Sequence, residues 1–586
     1  MKSFLKYMLA TIAGILILNF LGLIIFFIIL GAVSKTEEPT VLDNSVLVAE
    51  FNTPILDRAN DYPFSDFNLG NLDMDAAMGL DQVLKDIRKA SIDDDISGIF
   101  LNLSAVPASM ATVEEIRDAL LEFKESDKFI IAHADLYTQK SYYLATAADK
   151  VYLTPTGDLD FKGLQARVLL FKRALDKYGI DMQVIRHGAF KSAVEPFLTD
   201  EISEANREQL DAMISSVWNK MISEIALARG ISEEDLNTYA NEMSVTFDHQ
   251  ALEKKMIDGL RYYDEVLDEL RELTETDEDD DIPSIKLSKY KDVTVEDEKE
   301  ASSNRIAVVY AMGNIVTGDA GEGMIGSDRI AKAIRKARED DKIKAIVLRV
   351  NSGGGSALAS EVIYREVKLA SEVKPVVASL GDVAASGGYY IVCPADTIVA
   401  SETTITGSIG VFGLIPNFKE LMNEKIGITT GVVKTNKYAD IMSTTRPLTE
   451  DERAMIQDYV DDTYTTFVNH VAEGRSMTFE EVDAIGSGRV WSGVNAMENG
   501  LIDVYGGLEK SIEIAAEMAD LENYRIRSLP ALEDPFTMLM KELTGGAKMR
   551  MIRKELGASY ELYKKAEEIS DMQGLQAVMP YSIDIY

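Results

Sequence analysis

The sequence repeats itself at a fixed distance of 247 residues, and this repeat restricts the possible folds more than any other feature. The run DDDISGIFLNLSA at 93–105 matches DDKIKAIVLRVNS at 340–352. At the same offset, DLYTQKSYYLATAADKVYLT at 135–154 matches DVAASGGYYIVCPADTIVAS at 382–401. A chain with this internal similarity is predicted to contain two tandem copies of one structural unit.

The pattern inside each copy favours an α/β fold. Runs rich in β-branched residues, such as VLVAEF at 46–51 and IAVVYAMG at 306–313, alternate with helical stretches such as SDRIAKAIRKARED at 327–340. This alternation is typical of parallel strands joined by crossover helices. We therefore predict a first repeat at 45–272 and a second repeat at 304–525.

Two further segments lie outside the repeats. Residues 273–303 are acidic and poor in apolar side chains, so we predict a linker there, with one short strand at 284–287. Residues 526–586 form a C-terminal extension whose part at 539–576 reads as helical and charged, and we expect it to pack on the body or on another subunit.

The N-terminus carries a long apolar run at 8–33, in which Thr11 and Asn19 are the only polar residues. Such a run is long enough to cross a bilayer, which predicts a transmembrane anchor within residues 1–34 that contacts membrane lipid. Lys2 and Lys6 precede the run, and this lysine bias places the N-terminus in the cytoplasm and the body outside. A cleaved signal peptide is the alternative.

Composition excludes several function classes. A formal net charge of −37 argues against a nucleic-acid partner. The single cysteine, Cys393, rules out an intrachain disulfide framework. The four histidines show no helical ligand spacing, so we expect neither a metal nor another cofactor.

Two motifs of the second repeat predict acyl transfer. In GDVAASGGYY at 381–390, small residues surround Ser386 where a helix is predicted to begin. KAIVLRVNSGGGS at 344–356 reads as a buried strand that ends in a glycine turn, whose amides can approach an oxygen closely. The first repeat has Thr138-Gln139-Lys140 and SAVPAS at the matching positions, so it lacks this chemistry. The alternative is a packing turn with an incidental serine.

A serine nucleophile needs a base, and the residues alone leave two candidates. His470 lies at apolar spacing on a predicted helix, which favours a packed side chain. His187 and Lys191 share the loop-like segment RHGAFKSAVEP at 186–196. A lysine desolvated in an apolar pocket loses its proton near neutral pH, so the two are near equal on chemical grounds.

The motifs NSGGGS, GDVAASGGYYIVCPADTIVAS and TGSIGVFG, together with the tandem repeat, resemble the signal peptide peptidase A family of membrane-anchored Ser/Lys proteases in its long two-copy form. The resemblance implies a crotonase-like fold related to the Clp protease core and a homotetramer. It also implies cleavage of signal peptides that have been released from preproteins.

The resemblance also implies roles for individual residues. Ser386 is the expected nucleophile, Lys191 the general base and Ser408 the hydroxyl that orients the lysine. The oxyanion hole is expected from the amides of Gly387 and of either Gly353 or Gly354. Gly353 departs from the family, which commonly has proline at that position.

The one-copy members of the family carry their lysine in the same copy as the serine. The matching loop here, KTNKYADIMSTTRP at 434–447, has Ala439 at that position, which leaves Lys434 and Lys437 as alternatives to Lys191.

The sequence thus predicts a membrane-anchored serine endopeptidase that degrades signal peptides or similar apolar peptides at the outer face of a bacterial cytoplasmic membrane. Three alternatives stay open: an acyl-CoA hydratase or isomerase on the same fold, a Ser/Lys protease specific for one membrane protein, and a non-catalytic scaffold.

Overall fold

The computed structural model describes residues 2–33, 39–59, 77–295, 302–532, 555–557, 560 and 575–579. The N-terminal helix α1 covers Lys2–Val33. Among the residues described, no helix is both long enough and apolar enough to cross a membrane, so the structure does not support the predicted anchor at 8–33.

The first repeat contains nine strands and ten helices in the described part of the chain. The strands are β1 Ser45–Ala49, β2 Ile55–Leu56, β3 Met78–Gly79, β4 Ile96–Leu103, β5 Phe129–Tyr137, β6 Lys150–Leu159, β7 Asp181–Arg186, β8 Gly259–Leu260 and β9 Ser284–Lys286. The helices are α2 Leu80–Ile92, α3 Met110–Lys124, α4 Gln139–Ala145, α5 Lys172–Tyr178, α6 Glu195–Leu198, α7 Glu204–Arg229, α8 Glu233–Glu242, α9 Asp248–Glu253, α10 Tyr263–Leu273 and α11 Leu287–Tyr290. A 3-10 turn covers Ser192–Val194.

The second repeat and the described part of the C-terminal extension contain the remaining elements. The strands are β10 Arg305–Met312, β11 Asn314–Val316, β12 Met324–Gly326, β13 Ile343–Ser352, β14 Gly354–Ser356, β15 Val376–Ala385, β16 Thr397–Ala400, β17 Ile405–Gly407, β18 Phe412–Asn417, β19 Val490–Ser492, β20 Val504–Tyr505, β21 Arg525–Leu529 and β22 Leu575–Val578. The helices are α12 Ser327–Glu339, α13 Ala357–Ser371, α14 Gly387–Val392, α15 Glu450–Arg475, α16 Phe479–Ile485, α17 Gly493–Glu498 and α18 Leu508–Met518, with a π-helix at Leu421–Ile426.

The two repeats share one architecture, which confirms the predicted α/β fold with tandem copies. The first repeat forms a parallel sheet in the order β8-β6-β5-β4-β1-β9. The second builds its sheet around β17-β15-β13-β10-β21. Helices α2 and α3 begin 247 residues before α12 and α13, so the sequence offset is also a structural offset.

The copies are packed into one body by a common core. The largest cluster of buried apolar residues combines Leu84 and Val113 of the first repeat with Val308, Val347 and Leu508 of the second. Burying apolar side chains stabilises the folded chain by about 25 cal/mol per Å² removed from water. A continuous core of this kind therefore restricts the motion of one repeat against the other.

A buried ion cluster also crosses the boundary between the copies. The Arg349 side chain is fully buried, and its guanidinium contacts Asp57 at 2.5 Å and Glu115 at 2.6 Å. Burial by itself lowers the pKa of Arg349, but the two carboxylates together outweigh it and raise the pKa, because they favour the charged form. Removing one partner of a buried ion pair typically costs about 3–5 kcal/mol, so the cluster specifies how the repeats dock.

A third sheet contains strands from both repeats and from the C-terminal extension. Its order is β12-β11-β14-β22-β18-β7. Strand β7 of the first repeat pairs antiparallel with β18 of the second, with Arg186 opposite Phe412. This pairing carries the segment after β7 into the second repeat.

Two of the predicted segments differ from expectation. The short strand predicted in the linker is present as β9, but it pairs with β1, and Leu287 and Tyr290 just after it are buried. Residues 284–286 therefore belong to the first repeat's sheet, and helix α11 at 287–290 packs into the first repeat's core. Most of the C-terminal stretch predicted as helical, 539–576, lies outside the described residues. Within it, residues 555 and 556 are helical, whereas 575 and 576 belong to strand β22.

Candidate active site

Ser386 lies at the turn between β15 and α14, where the sequence predicted the start of a helix. Its backbone has φ 56° and ψ −115°, a combination that non-glycine residues rarely adopt. The Ser386 amide donates to the Gly407 carbonyl at 2.8 Å, and the Tyr390 amide donates to the Ser386 carbonyl at 2.9 Å. These bonds hold the strained turn and fix the direction of the side chain.

The small residues after Ser386 are required by close backbone packing. A Cβ on Gly388 would lie 2.6 Å from the carbonyl oxygen of Ser352. Helix α14 therefore approaches the end of β13 more closely than any side chain would allow. The serine is brought directly beside the glycine turn by this contact.

Lys191 of the first repeat reaches Ser386 across the boundary between the copies. After β7 pairs with β18, the chain continues to Lys191, whose side chain is completely buried. Its Nζ lies 2.7 Å from Oγ of Ser386. The two residues are 195 positions apart in the chain. They are brought together by the pairing of β7, which precedes Lys191, with β18, which follows Ser386.

Ser408 provides the remaining contacts of the lysine. Nζ of Lys191 lies 3.0 Å from Oγ of Ser408 and 3.1 Å from its carbonyl oxygen. The Ser408 hydroxyl donates in turn to the Gly488 carbonyl at 3.3 Å. The three predicted side chains, Ser386, Lys191 and Ser408, therefore form one buried cluster.

Burial determines the electrostatics of this cluster. It lowers the pKa of the Lys191 ammonium well below its usual range, because a charged amine loses its hydration there. The amine is consequently poised to be neutral at a pH where an exposed lysine is charged.

Gly488 is part of the site and was missed by the sequence analysis. It adopts φ +86°, and a Cβ there would lie 2.6 Å from the Cβ of Lys191. Phe190 beside the lysine donates its amide to the Ser487 carbonyl at 3.2 Å. The Lys191 loop is thus held against the loop at 486–489. In the sequence, only the short run GSGRVW at 486–491 could have indicated this contact.

The glycine turn differs in detail from the prediction. The Gly354 amide, expected as an oxyanion donor, donates to Oγ of Ser352 at 3.0 Å. The Gly353 carbonyl accepts from the Met579 amide at 2.5 Å. Gly387 lies close to the turn, since a Cβ on Gly354 would be 2.7 Å from the Gly387 nitrogen.

Residues of the first repeat brace the strands that lead into the site. Nδ2 of Asn351 donates to Asp57 at 2.8 Å and to Asp382 at 3.2 Å. Oδ1 of Asn351 accepts from the Val383 amide at 3.2 Å. Asp382 also accepts from the amide and hydroxyl of Thr112, each at 2.9 Å. The first copy therefore positions the strand ends that carry the serine and the glycine turn.

The other candidate histidines have different partners. Nδ1 of His187 lies 2.7 Å from Asp461, and its ring stacks on Tyr464 with centroids 3.8 Å apart. Nε2 of His470 lies 3.0 Å from Glu361. Each of these ring nitrogens thus lies within hydrogen-bonding distance of a carboxylate instead of the Ser386 hydroxyl.

The alternative lysines face acidic residues instead of the serine. Lys434 donates to Asp440 at 2.7 Å, and the exposed Lys437 is paired with Asp451. Within the described ranges, no group of three or more histidine, cysteine, aspartate or glutamate side chains is placed to hold a metal ion.

The geometry agrees with comparisons to known proteins. The model of peptidase family S49 matches residues 122–277 and 368–522, which together make up just over half of the chain. The chain belongs to peptidase family S49. It is therefore a serine protease, which confirms the resemblance that the motifs indicated and replaces the acyl-CoA hydratase and scaffold hypotheses.

Several S49 relatives are similar over much of their length. Protease 4 from Salmonella typhi is 37% identical over 476 residues, covering 80% of this chain and 76% of the relative. Serine protease SPPA, chloroplastic, from Arabidopsis thaliana is 33% identical, covering 86% and 74%. A putative signal peptide peptidase SppA from Enterococcus faecium is 34% identical, covering 38% and 66%.

Among solved structures, a variant of ClpP1 from Listeria monocytogenes aligns with a TM-score of 0.23 and 14% identity, covering 35% of this chain and 94% of that one. At this level the similarity carries no further argument.

Proposed function

We propose that this serine protease uses a Ser386/Lys191 dyad to hydrolyse signal peptides and similar apolar peptides. The observation that carries the proposal is the 2.7 Å separation of Nζ and Oγ inside a fully buried cluster. The name of the Enterococcus faecium relative, a putative signal peptide peptidase, supports the substrate class.

The contacts of Lys191 suit a neutral amine. A neutral amine has two N–H donors and one lone pair, whereas an ammonium has three donors and no lone pair. The carbonyl and hydroxyl oxygens of Ser408 lie where the two N–H groups would donate, at 3.1 and 3.0 Å. The lone pair is then directed at the hydroxyl of Ser386, so it can accept the proton when Oγ attacks a carbonyl carbon.

The oxyanion donors follow from the register of β14 and β22. Opposite residues of an antiparallel ladder alternate between pairs with and without mutual hydrogen bonds. Because the Met579 amide donates to the Gly353 carbonyl, the next hydrogen-bonded pair is Gly355 with Ala577. Gly355 and Gly387 are therefore the proposed donors to the developing oxyanion, in place of Gly353 and Gly354.

The location and assembly of the protein are proposed from the sequence alone. The apolar run at 8–33 favours a membrane-attached protein of the bacterial cytoplasmic membrane with its body outside, and the family resemblance favours a homotetramer. Fractionation of cells, with alkaline washing of the membranes, tests the first proposal, and light scattering of the purified protein tests the second.

Labelling and mutagenesis test the dyad. A fluorophosphonate probe should label Ser386, and Ser386→Ala and Lys191→Ala should each lower kcat on a synthetic signal peptide by about 10³-fold or more. Lys437→Ala is the matched control, because that lysine is exposed and paired with Asp451, and it should retain full activity.

Equal losses in Lys191→Ala and Lys437→Ala would contradict the assigned base. Wild-type activity on an unrelated polar peptide but not on an apolar one would contradict the substrate class.

A further inference from the structure

Lys191 lies at the centre of a tight backbone turn. Its φ of −72° and ψ of 74° are those of an inverse γ-turn, and the Ser192 amide donates to the Phe190 carbonyl across it at 2.7 Å. At the end of the side chain, Nζ contacts hydroxyl and carbonyl groups of Ser386 and Ser408, which carry no charge. The position of the amine therefore depends on the backbone that carries it, residues 190–192, which we call the lysine turn.

Gln209, on helix α7, contacts both ends of the lysine turn. Its side chain is buried, and Nε2 donates to Oγ of Ser192 at 2.6 Å and to the carbonyl oxygen of Phe190 at 3.3 Å. The same nitrogen also donates to Oδ1 of Asn206 at 3.0 Å, so its two hydrogens are shared among these acceptors. One side chain therefore holds together the residues before and after Lys191.

The opposite end of the Gln209 amide reaches the strand beside Ser408. Oε1 of Gln209 accepts from the Val490 amide at 3.3 Å. Val490 begins β19 and lies opposite Gly407 in the ladder with β17. The Ser408 amide donates to the carbonyl of Arg489, the residue before Val490, at 2.7 Å. Gln209 therefore connects the lysine turn of the first repeat with the strand that holds Ser408 in the second.

Asn206 and Glu195 fix the direction of the Gln209 amide. The Glu195 carboxylate accepts from Nδ2 of Asn206 at 2.8 Å and from the hydroxyl of Ser203. An ionised carboxylate has acceptors only, so Nδ2 of Asn206 must face it and Oδ1 must face Gln209. Exchanging the two ends of the Gln209 amide would set its N–H groups against the N–H of Val490. Glu195, Asn206 and Gln209 are all buried, and a buried polar group without its partner costs about 1–3 kcal/mol, so the network favours a single orientation.

We propose that Gln209 is a positioning residue, which holds the lysine turn so that Nζ of Lys191 stays within hydrogen-bonding distance of the Ser386 hydroxyl. The proposal rests on the dyad proposed above. A neutral amine forms hydrogen bonds that are worth only about 1 kcal/mol each, so it cannot keep a loosened turn in place. A displacement of about 1 Å at a reacting group can lower a rate by about 10²-fold. The geometry of the dyad thus depends on the network that ties residues 190–192 to α7 and β19.

Steady-state kinetics of Gln209→Met on a synthetic signal peptide test the proposal with the full-length chain. Methionine keeps an unbranched side chain of similar length but has no N–H donor and no carbonyl oxygen. The value of kcat should fall by about 10–100-fold and KM should change by less than about threefold, because a displaced base slows the chemical step. The acidic limb of the kcat/KM profile should move to higher pH, since an amine that leaves its pocket regains hydration, which favours the ammonium. A merely structural role would reduce the amount of folded enzyme and leave this profile unchanged.

Gln139→Met is the matched control. Gln139 is also a buried glutamine that bonds to the backbone with both ends of its amide, because Nε2 donates to the Gly163 carbonyl at 2.9 Å and Oε1 accepts from the Gly163 amide at 2.7 Å. Both ends of its amide thus bond within the first repeat. Its substitution should lower the Tm but leave kcat and the pH profile as in the wild type. Equal kinetic losses and equal pH shifts in the two variants would overturn the positioning role of Gln209.

A double-mutant cycle with Lys191→Ala tests whether Gln209 acts through the lysine. In the Lys191→Ala background, Gln209→Met should change the residual rate at which a fluorophosphonate probe labels Ser386 by less than about twofold, because the group that Gln209 positions is absent. A further loss as large as in the enzyme that keeps its lysine would show an independent effect of Gln209 and would overturn the proposal.

The same variants separate this proposal from the dyad itself. If Lys191→Ala is inactive while Gln209→Met keeps the wild-type kcat and pH profile, the positioning role is overturned and the dyad stands. Full activity in Lys191→Ala would contradict the dyad. Should Gln209→Met fail to fold, Ser192→Ala tests the same contact by removing one oxygen atom. Its acidic limb should move in the same direction by a smaller amount, and an unchanged profile would overturn the proposal.

Discussion

The buried amine of Lys191 predicts how stability should depend on pH, and the substitution Lys191→Met makes this measurable. Methionine keeps an unbranched apolar stem but cannot be protonated. In the unfolded chain a lysine titrates near pH 10.4, whereas burial lowers the pKa of Lys191 in the folded protein. Between these two pKa values, the unfolded wild-type chain binds one proton more than the folded one.

The sign and size of the effect follow from this proton difference. Wild-type stability should rise with pH by up to about 1.4 kcal/mol per pH unit in that window, because the unfolded state binds the extra proton. Lys191→Met lacks the effect, so its advantage over the wild type should be largest below the folded pKa and should shrink toward about pH 10.4. Its two lost contacts to Ser408, at 3.0 and 3.1 Å, subtract about 1 kcal/mol each at every pH.

Urea unfolding of both proteins across this pH range provides the measurement. The difference in free energy of unfolding should be flat below the folded pKa of Lys191, and the pH at which it begins to fall should equal the pKa seen in the pH profile of kcat/KM, which reports the free enzyme. A difference that stays constant from about pH 6 to about pH 10 would refute a depressed pKa and, with it, the lysine base.

Two further substitutions test the groups around the lysine. Ser408→Ala removes one of the two acceptors of Nζ, so it should lower kcat by about 10–100-fold and shift the acidic limb of the pH–rate profile, which reports deprotonation of the lysine, whereas a merely structural role would leave that profile in place. Gly488→Ala should lower kcat because a Cβ there would lie 2.6 Å from the lysine side chain, while Gly500→Ala, at φ +72° with open space around it, should cost only stability; equal kinetic losses in both would contradict this reading.

The nucleophile could be predicted from the sequence because the residues that indicate it are its immediate neighbours. Ser386 stands among glycines and alanines that the turn requires, and the repeat showed that the first copy lacks them. The general base could not be predicted from local sequence in the same way. His187 and Lys191 share one segment, and only the resemblance to a known family separated them. The pairing of β7 with β18 brings both to the second repeat. What separates them is their contacts there, because Nζ of Lys191 lies 2.7 Å from Oγ of Ser386, whereas Nδ1 of His187 lies 2.7 Å from Asp461.

Register and long-range strand pairing explain the parts that the sequence did not reveal. Strand β22 is a short run, LQAV, whose strand character comes from two neighbours that are distant in the chain. Gly355 differs from Gly353 and Gly354 only by its position in that ladder. A shift of a single residue changes which amide faces the substrate, and no local propensity encodes such a shift.

The position in the first repeat that matches Ser386 shows how that copy lost its site. At the same offset of 247 residues stands Gln139, which is buried. Its Oε1 accepts from the amides of Lys162 at 2.8 Å and Gly163 at 2.7 Å. The glutamine therefore uses its carbonyl oxygen to satisfy backbone donors of its own chain, and a group tied in this way is not a nucleophile.

The next residue closes the same site further. Lys140 stands where the second repeat has Gly387, and its Nζ donates to the carbonyl of Ala108, the residue that matches Gly355. A lysine side chain thus spans the space in which the second repeat has the two proposed oxyanion donors, Gly355 and Gly387. The first copy keeps the backbone frame of the fold but fills its slot with its own side chains. Its contribution to catalysis is consequently made elsewhere, through the strand and loop that carry Lys191 to the serine of the second copy.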